Sequence, residues 1–334
     1  MDILAKYTDI DTSRLMKGSH VLMRPLAMVG GLYVASQLYA VSSWTWLHLI
    51  RRGDLQKYKS KDKDTWAVVT GASAGIGKGF VQELASRGFN VILHGRNEGK
   101  LARFQNELQS QYPRLKFRLL ILDAAEIDLS VMEAAIDEIK ALNIRILINN
   151  VAGGGKHEKP ILDSFQGKTA ENIESWTSVT MRFPTHITRI LLPTLIDKES
   201  SLILNIGSGV SEMAVPYLTV YAGLKSYNKV WSRSLQTELL ADNNGHVEVK
   251  AIIVGRTATE RGGREASLMI PTSRQMAKSS LESVGSSHSV VAPFWAHSLQ
   301  DNIIGLFPQW FLNRFTFDIA RKIMADERAG KPIQ

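Results

Sequence analysis

The chain has 334 residues and no cysteine. That absence excludes disulfides, zinc–thiolate centres and cysteine nucleophiles, although it does not fix a compartment. The histidines offer no alternative metal set. His157, His186, His288 and His297 are scattered without ligand spacing, so no metal is expected. Internal repeats and low-complexity segments are also missing. Lysine and arginine outnumber the acids, 40 to 32, for a net charge of +8. Such an excess suits nucleic acid, an anionic membrane or an anionic ligand. No basic block is interleaved with aromatics, so nucleic acid is set aside as a partner.

A second absence is local. No charged residue occurs from position 25 to 50, in PLAMVGGLYVASQLYAVSSWTWLHLI. The run exceeds the roughly 20 apolar residues that cross a bilayer. Tyr39, Trp44 and Trp46 gather toward one end, as interfacial aromatics do. A cleaved signal peptide fits poorly, because a long polar stretch precedes the run and Arg51-Arg52 follow it. A buried core helix would have no evident partner ahead of the first strand. The expected organisation is a polar segment (1–24), a transmembrane anchor (25–50), a basic linker (51–64), a catalytic domain (65–300) and an apolar, amphipathic tail (301–334). Residues 51–64 carry six Lys/Arg and residues 1–24 carry four. This count predicts a cytoplasmic catalytic domain.

From residue 65 short apolar runs alternate with helical patterns. Strands are predicted at 66–70, 90–94, 117–122, 145–149, 201–206 and 247–254. Repeated βα units of this kind specify one α/β domain, a Rossmann-type doubly wound parallel sheet with helices on both faces.

The first predicted strand runs into Thr70-Gly71-Ala72-Ser73-Ala74-Gly75-Ile76-Gly77, and a helix pattern with Phe80, Val81 and Leu84 as its apolar stripe follows. Glycines there allow a tight turn and close approach of backbone to a pyrophosphate, which the helix N-terminus then faces. The second strand ends in Leu93-His94-Gly95-Arg96. A carboxylate at this place would bind the ribose hydroxyls of NAD; none is present, and Arg96 suits a 2′-phosphate, so NADP(H) is expected.

Tyr221-Ala222-Gly223-Leu224-Lys225 opens a helix after the fifth strand. The i, i+4 spacing puts phenol and ammonium on one helical face. The cation favours phenolate and so lowers the phenol pKa. Tyr221 can then exchange a proton with a carbonyl or alcohol oxygen. Thirteen residues earlier the strand ends in Asn205-Ile206-Gly207-Ser208. The Ser208 hydroxyl can hydrogen-bond the same oxygen.

Taken together, TGASAGIG, Asn149-Asn150, Ser208 and YAGLK resemble the short-chain dehydrogenase/reductase family. The apolar N-terminal run, GIGKGFVQELASRGFNVIL, Arg96 with Lys100-Leu101, Pro216-Tyr217 and SSLESVGSSHSVVAPFWAHSLQ are similar to its microsomal branch, the very-long-chain 3-oxoacyl-CoA reductases and related 17β-hydroxysteroid dehydrogenases. The resemblance runs from about residue 57 to the C-terminus. It implies Tyr221 as general acid/base, Lys225 lowering its pKa and holding the nicotinamide ribose, and Ser208 positioning the carbonyl. It implies cofactor contacts from Thr70, Gly71, Ser73, Gly75, Ile76 and Gly77, from Arg96, Asp123 at the adenine and Asn150, and from Gly255 and Thr259 at the nicotinamide end. An endoplasmic reticulum membrane, a lipophilic substrate such as a CoA thioester, and the option of a homodimer also follow from the resemblance. The chain departs from the branch at Thr180, where an Asn usually holds a water of the proton relay, and at Ala74, Val151-Ala152 and Val254-Gly255.

Residues 256–284, with Arg261, Gly262-Gly263, Arg264 and Arg274, are placed by position as a substrate lid. Its arginines either meet an anionic group such as CoA phosphates or line a solvated loop. The apolar stretch 303–312 is either an interfacial membrane contact or a cover over the substrate pocket. Three substrate readings stay open: a 3-oxoacyl-CoA, a sterol ketone and a specialised-metabolite ketone. The rival of another class is a non-catalytic membrane scaffold that keeps the fold.

Overall fold

The computed structural model describes residues 12–154, 162–260 and 265–328. It divides into two units, residues 1–51 and 52–334. The first unit is helical: α1 spans Thr12–Thr45 and one π-helical turn, Trp46–Ile50, follows it. Within this unit Met23–Ile50 is 28 residues long with a mean hydropathy of 1.2, long and apolar enough to cross a bilayer. Leu26, Leu32, Leu38 and Tyr39 are all exposed.

The second unit is built on a seven-stranded parallel sheet. Its strands are β1 (Trp66–Val69), β2 (Asn90–Gly95), β3 (Phe117–Ile121), β4 (Ile144–Asn149), β5 (Ser201–Ile206), β6 (Val247–Ile252) and β7 (Val290–Val291), in the order β3-β2-β1-β4-β5-β6-β7. β1, β2, β4 and β5 are buried along their whole length. This is why they read as continuous apolar runs without alternation. The seventh strand was not predicted, because two residues are too few to form a pattern.

Helices cover both faces: α2 (Gly75–Ser86), α3 (Glu98–Gln111), α4 (Leu129–Lys140), α5 (Ala170–Thr177), α6 (Phe183–Ile196), α7 (Thr219–Ala241), α8 (Ser273–Glu282), α9 (Trp295–Ile304) and α10 (Gln309–Arg328). Two core clusters result, one on each side of the sheet. One joins Phe80, Val81 and Leu84 of α2 to Val69, Leu93 and Met276. The other joins Ile136, Phe183, Ile187 and Leu191 to Val68, Ile92 and Leu147. Helix starts follow local chemistry. Asn97 accepts from the Lys100 N–H at 2.9 Å and caps α3, while Asp128 caps α4 in the same way. Such caps satisfy backbone donors that a helix leaves open.

α5 and α6 are joined by a π-helical turn, Ser178–Arg182. The stretch 303–312 is not one segment. α9 ends at Ile304 and α10 starts at Gln309 just after Pro308, so a short connection breaks the stretch in two. Leu306, Phe307, Trp310 and Phe311 on it are exposed.

Candidate active site

All strands are parallel, so their carboxyl ends share one edge. Strand order reverses between β1 and β4, and open α/β sheets bind ligands at that point. A cleft of about 440 Å³ opens there. Its lining includes Gly71, Ser73, Gly75 and Ile76 of the glycine turn, with Asn150 and Thr259 beside them, Arg96 and Asp123, and Tyr221. A hollow of about 570 Å³ lies elsewhere, among Lys63, Asp64, Lys116 and Arg118; it holds none of the residues named for chemistry.

The glycine turn has the shape its sequence implies. Gly71 and Gly75 take φ of +67° and +54°, which only glycine adopts without strain. A Cβ at Gly77 would stand 2.1 Å from the Gly71 carbonyl oxygen and 2.6 Å from Asn150 Nδ2. Gly77 therefore closes the turn from beneath, fully buried. The first N–H groups of α2 then face the cleft, which fits the phosphates of a dinucleotide. Thr259 packs beside Gly75, its methyl 3.6 Å from a Cβ added there.

Thr70 does not border the cleft. It is fully buried, and its hydroxyl ties β1 to the end of β4. Oγ1 donates to the Ile148 carbonyl at 3.2 Å and accepts from the N–H groups of Asn150 and Val151 at 2.9 and 3.1 Å. Asn150 returns the contact, Nδ2 donating to the Thr70 carbonyl at 3.0 Å. His94, which the sequence marked only as a strand residue, braces the same turn. Its Nδ1 accepts from the Gly71 N–H at 3.3 Å, and its ring stacks on Phe183 with centroids 4.6 Å apart. Burial pushes its pKa down to about 4, so the ring stays neutral and Nδ1 stays an acceptor.

At the rim Arg96 Nη1 lies 4.0 Å from Asp123 Oδ2. The two residues assigned to opposite ends of an adenosine thus form one loose pair. Asp123 Oδ1 accepts from the Ala125 N–H at 2.9 Å, which holds the carboxylate in place.

Tyr221 sits on the first turn of α7, edge-on to Trp176 with centroids 5.4 Å apart. Lys225 lies one turn further and is buried. Its Nζ donates to the Ile206 carbonyl at 2.7 Å and stands 5.8 Å from the Tyr221 ring centre. Burial pushes its pKa down to about 8. Ser208 is extended, and Oγ accepts from the Val210 N–H at 3.4 Å. Thr180, also fully buried, lies in the π turn. Its hydroxyl accepts from the Gly153 N–H at 3.3 Å and its carbonyl from Asn228 Nδ2 at 3.1 Å. Neither Trp176 nor Asn228 was marked by the sequence.

Two expected groups stand elsewhere. Gly255 faces His297: its N–H donates to Nδ1 at 3.2 Å, and an added Cβ would meet the ring at 2.7 Å. It therefore seats a histidine and does not border the cleft. Arg274 is no lid residue. Its Nε donates to Glu83 Oε1 at 2.7 Å, and Arg87 pairs with the same carboxylate. These ion pairs draw Glu83 below the usual carboxylate range despite its burial. α8 packs closely on α2, since Gly79 lets the Ser273 carbonyl approach to 2.5 Å of where a Cβ would be. Arg261, Gly262, Gly263, Arg264 and His157 lie outside the described residues. No group of three metal-binding side chains occurs among the described residues.

A parallel sheet whose cleft is lined by a glycine turn and by Tyr221, with Lys225 one helical turn from that tyrosine, defines a nucleotide-binding α/β oxidoreductase. Residues 65–267 match the family model of the short chain dehydrogenases. The very-long-chain 3-oxoacyl-CoA reductase of Neurospora crassa is 33% identical over 297 residues, covering 86% of this chain and 87% of that protein. The protein of the same name from Pyricularia oryzae is 31% identical, covering 88% and 89%. Among solved structures, the fold is shared with a short-chain dehydrogenase from Sphingobium yanoikuyae in complex with NADPH (TM-score 0.58, 23% identity, 73% of this chain and 96% of that one). A 7β-hydroxysteroid dehydrogenase shares it as well (TM-score 0.64, 17% identity, 79% and 99%). The chain belongs to the short-chain dehydrogenase family. It is an oxidoreductase acting between alcohols and carbonyls.

Proposed function

We propose that this chain reduces the ketone of a very-long-chain 3-oxoacyl-CoA to the alcohol with NADPH, at a membrane. The observation that carries the reading is the likeness to reductases of that name over nearly the whole of both chains. The cleft supports it, with Tyr221 and the glycine turn lining the same cavity.

NADPH, when bound, supplies the hydride. Gly71, Ser73, Gly75 and Ile76 bind its phosphates through backbone groups and the α2 N-terminus. Arg96 meets the 2′-phosphate, for which it gives up its loose pairing with Asp123. Asp123 and Asn150 border the adenine and the middle of the dinucleotide. Tyr221 delivers a proton from its phenol oxygen to the substrate oxygen. Lys225, held on the Ile206 carbonyl, supplies the positive charge that makes this phenol more acidic. The Ser208 hydroxyl donates to the same substrate oxygen as charge builds on it. Trp176 fixes the plane of the Tyr221 ring.

The helix Met23–Ile50 anchors the protein in the endoplasmic reticulum membrane, where a lipophilic acyl chain resides. The six cationic residues after it keep the catalytic unit cytoplasmic. A steroid or specialised-metabolite ketone is the competing substrate class. NADPH consumption by detergent-solubilised full-length protein separates the two. The proposal expects saturable turnover that rises with acyl length across a 3-oxoacyl-CoA series. Turnover confined to polycyclic ketones overturns the substrate assignment. Absence of turnover on every ketone, with NADPH still bound, restores the scaffold reading.

A further inference from the structure

The buried Lys225 needs more solvation than one carbonyl provides. Its ammonium has three protons, and the Ile206 carbonyl takes one. Three residues further along α7, on the same face, Asn228 is 94% buried. Its two ends have different fates. Nδ2 donates to the Thr180 carbonyl at 3.1 Å. Oδ1 accepts from no donor among the described residues. A buried amide oxygen left without a donor is costly, and native interiors resolve such atoms with a partner or an ordered water.

The sequence explains why Nδ2 goes where it does. In an α-helix the Thr180 carbonyl would accept from the N–H of residue 184. Residue 184 is a proline and has none. The chain answers with the π turn Ser178–Arg182 and leaves that carbonyl open to a side chain. Asn228 fills it from the facing helix. One end of the amide is thereby anchored, and the other is buried one helical turn along α7 from Lys225. The Thr180 hydroxyl is already engaged by the Gly153 N–H.

We propose that Asn228 Oδ1 accepts a Lys225 ammonium proton through one bound water, and that this contact keeps Lys225 charged. Asn228 is thus a positioning residue for the Tyr221 proton transfer, acting through the lysine. It takes the part the resemblance gives to an Asn at position 180, from the opposite side of the same junction. The inference rests on Tyr221 and Lys225 as the reacting pair, and on no particular substrate.

The test reads Lys225 directly, in full-length protein in detergent with NADP+ bound. The lysine Cε carbons are labelled with 13C, and the Lys225 signal is assigned by its loss in Lys225→Met. Its midpoint is then followed against pH in wild type, Asn228→Leu and Asn228→Asp. Leucine removes the acceptor and should lower the midpoint by about one pH unit, the scale of a lost hydrogen bond to a charged group. Aspartate keeps an oxygen and adds charge, and should raise it. A carboxylate raises the midpoint through its charge alone, so the aspartate shift checks only that position 228 reaches Lys225, and the leucine shift decides. A lower midpoint with wild-type NADP+ affinity supports the proposal; an unchanged or raised midpoint overturns it. NADP+ affinity checks the fold of each variant, and if leucine is not tolerated Asn228→Ala is read in the same way. No turnover is needed, so a failure on 3-oxoacyl-CoA would sink the substrate reading and leave this result standing.

Discussion

Replacing Gly77 by alanine is the sharpest perturbation of the cofactor turn. The new Cβ would lie 2.1 Å from the Gly71 carbonyl oxygen and 2.6 Å from Asn150 Nδ2. Neither neighbour is the loose end of a flexible chain. The carbonyl belongs to the turn itself, and Asn150 is held by its backbone N–H on Thr70 Oγ1 and by Nδ2 on the Thr70 carbonyl. Forcing extra atoms into such a site costs about 1–3 kcal/mol. Losing the Asn150 Nδ2 hydrogen bond adds about 1 kcal/mol. The lower entropy of an unfolded alanine chain returns up to about 1 kcal/mol. The net cost is about 1–4 kcal/mol, which lowers the melting temperature by roughly 2–7 °C in a unit of this size. Opening the turn also moves the backbone that faces the phosphates, so NADPH affinity should fall at least tenfold. Gly223→Ala is the control. Nothing lies within 4 Å of its Cβ, and it is helical, so alanine should be neutral or stabilise by up to about 1 kcal/mol. Thermal unfolding and NADPH titration of both variants check this. Wild-type stability and affinity in Gly77→Ala would refute the closed turn described above.

Arg96→Leu should weaken NADPH binding at least tenfold and leave NADH unchanged, as paired dissociation constants would show; equal losses for both cofactors would remove Arg96 from the 2′-phosphate. The rate of ketone reduction should fall as pH rises through about 8, because Lys225 is charged below that pH and neutral above it. A pH profile flat from 6 to 10 would contradict that role. Full-length protein should resist carbonate extraction from membranes, and removal of residues 1–52 should weaken this retention. Partial retention after truncation would point to the exposed Leu306, Phe307, Trp310 and Phe311 at the α9–α10 connection.

Six of the seven strands were legible as apolar runs between turn signals, four of them buried along their whole length; β7, with two residues, carries no such run. The ends of β1, β3 and β6 were read one or two residues long and that of β2 one residue short. β1 stops at Val69 because Thr70 turns its hydroxyl to the backbone of β4. β6 stops at Ile252, short of the apolar Val254. The glycine turn, Arg96, Ser208, Tyr221 and Lys225 were named from the sequence because the motifs that mark them are short and local. His94, Trp176 and Asn228 were not, since their partners are 23 to 89 positions away. Arg274 misled for the same reason: Glu83 lies 191 positions earlier in the chain. The π turn had one visible cue, Pro184 inside a helical pattern, but the residue that compensates for it sits on another helix.

The central claim is that Tyr221 carries the proton for NADPH-dependent reduction of a long-chain 3-oxoacyl-CoA. Its most direct test compares wild type with Tyr221→Phe in one NADPH-oxidation assay on that substrate, alongside NADPH affinity. Only the ionisable oxygen differs between the two, so any loss lies in chemistry and not in folding. The account predicts turnover in wild type, a loss of at least a thousandfold in Tyr221→Phe, and the same NADPH affinity in both. Turnover retained by Tyr221→Phe would contradict it.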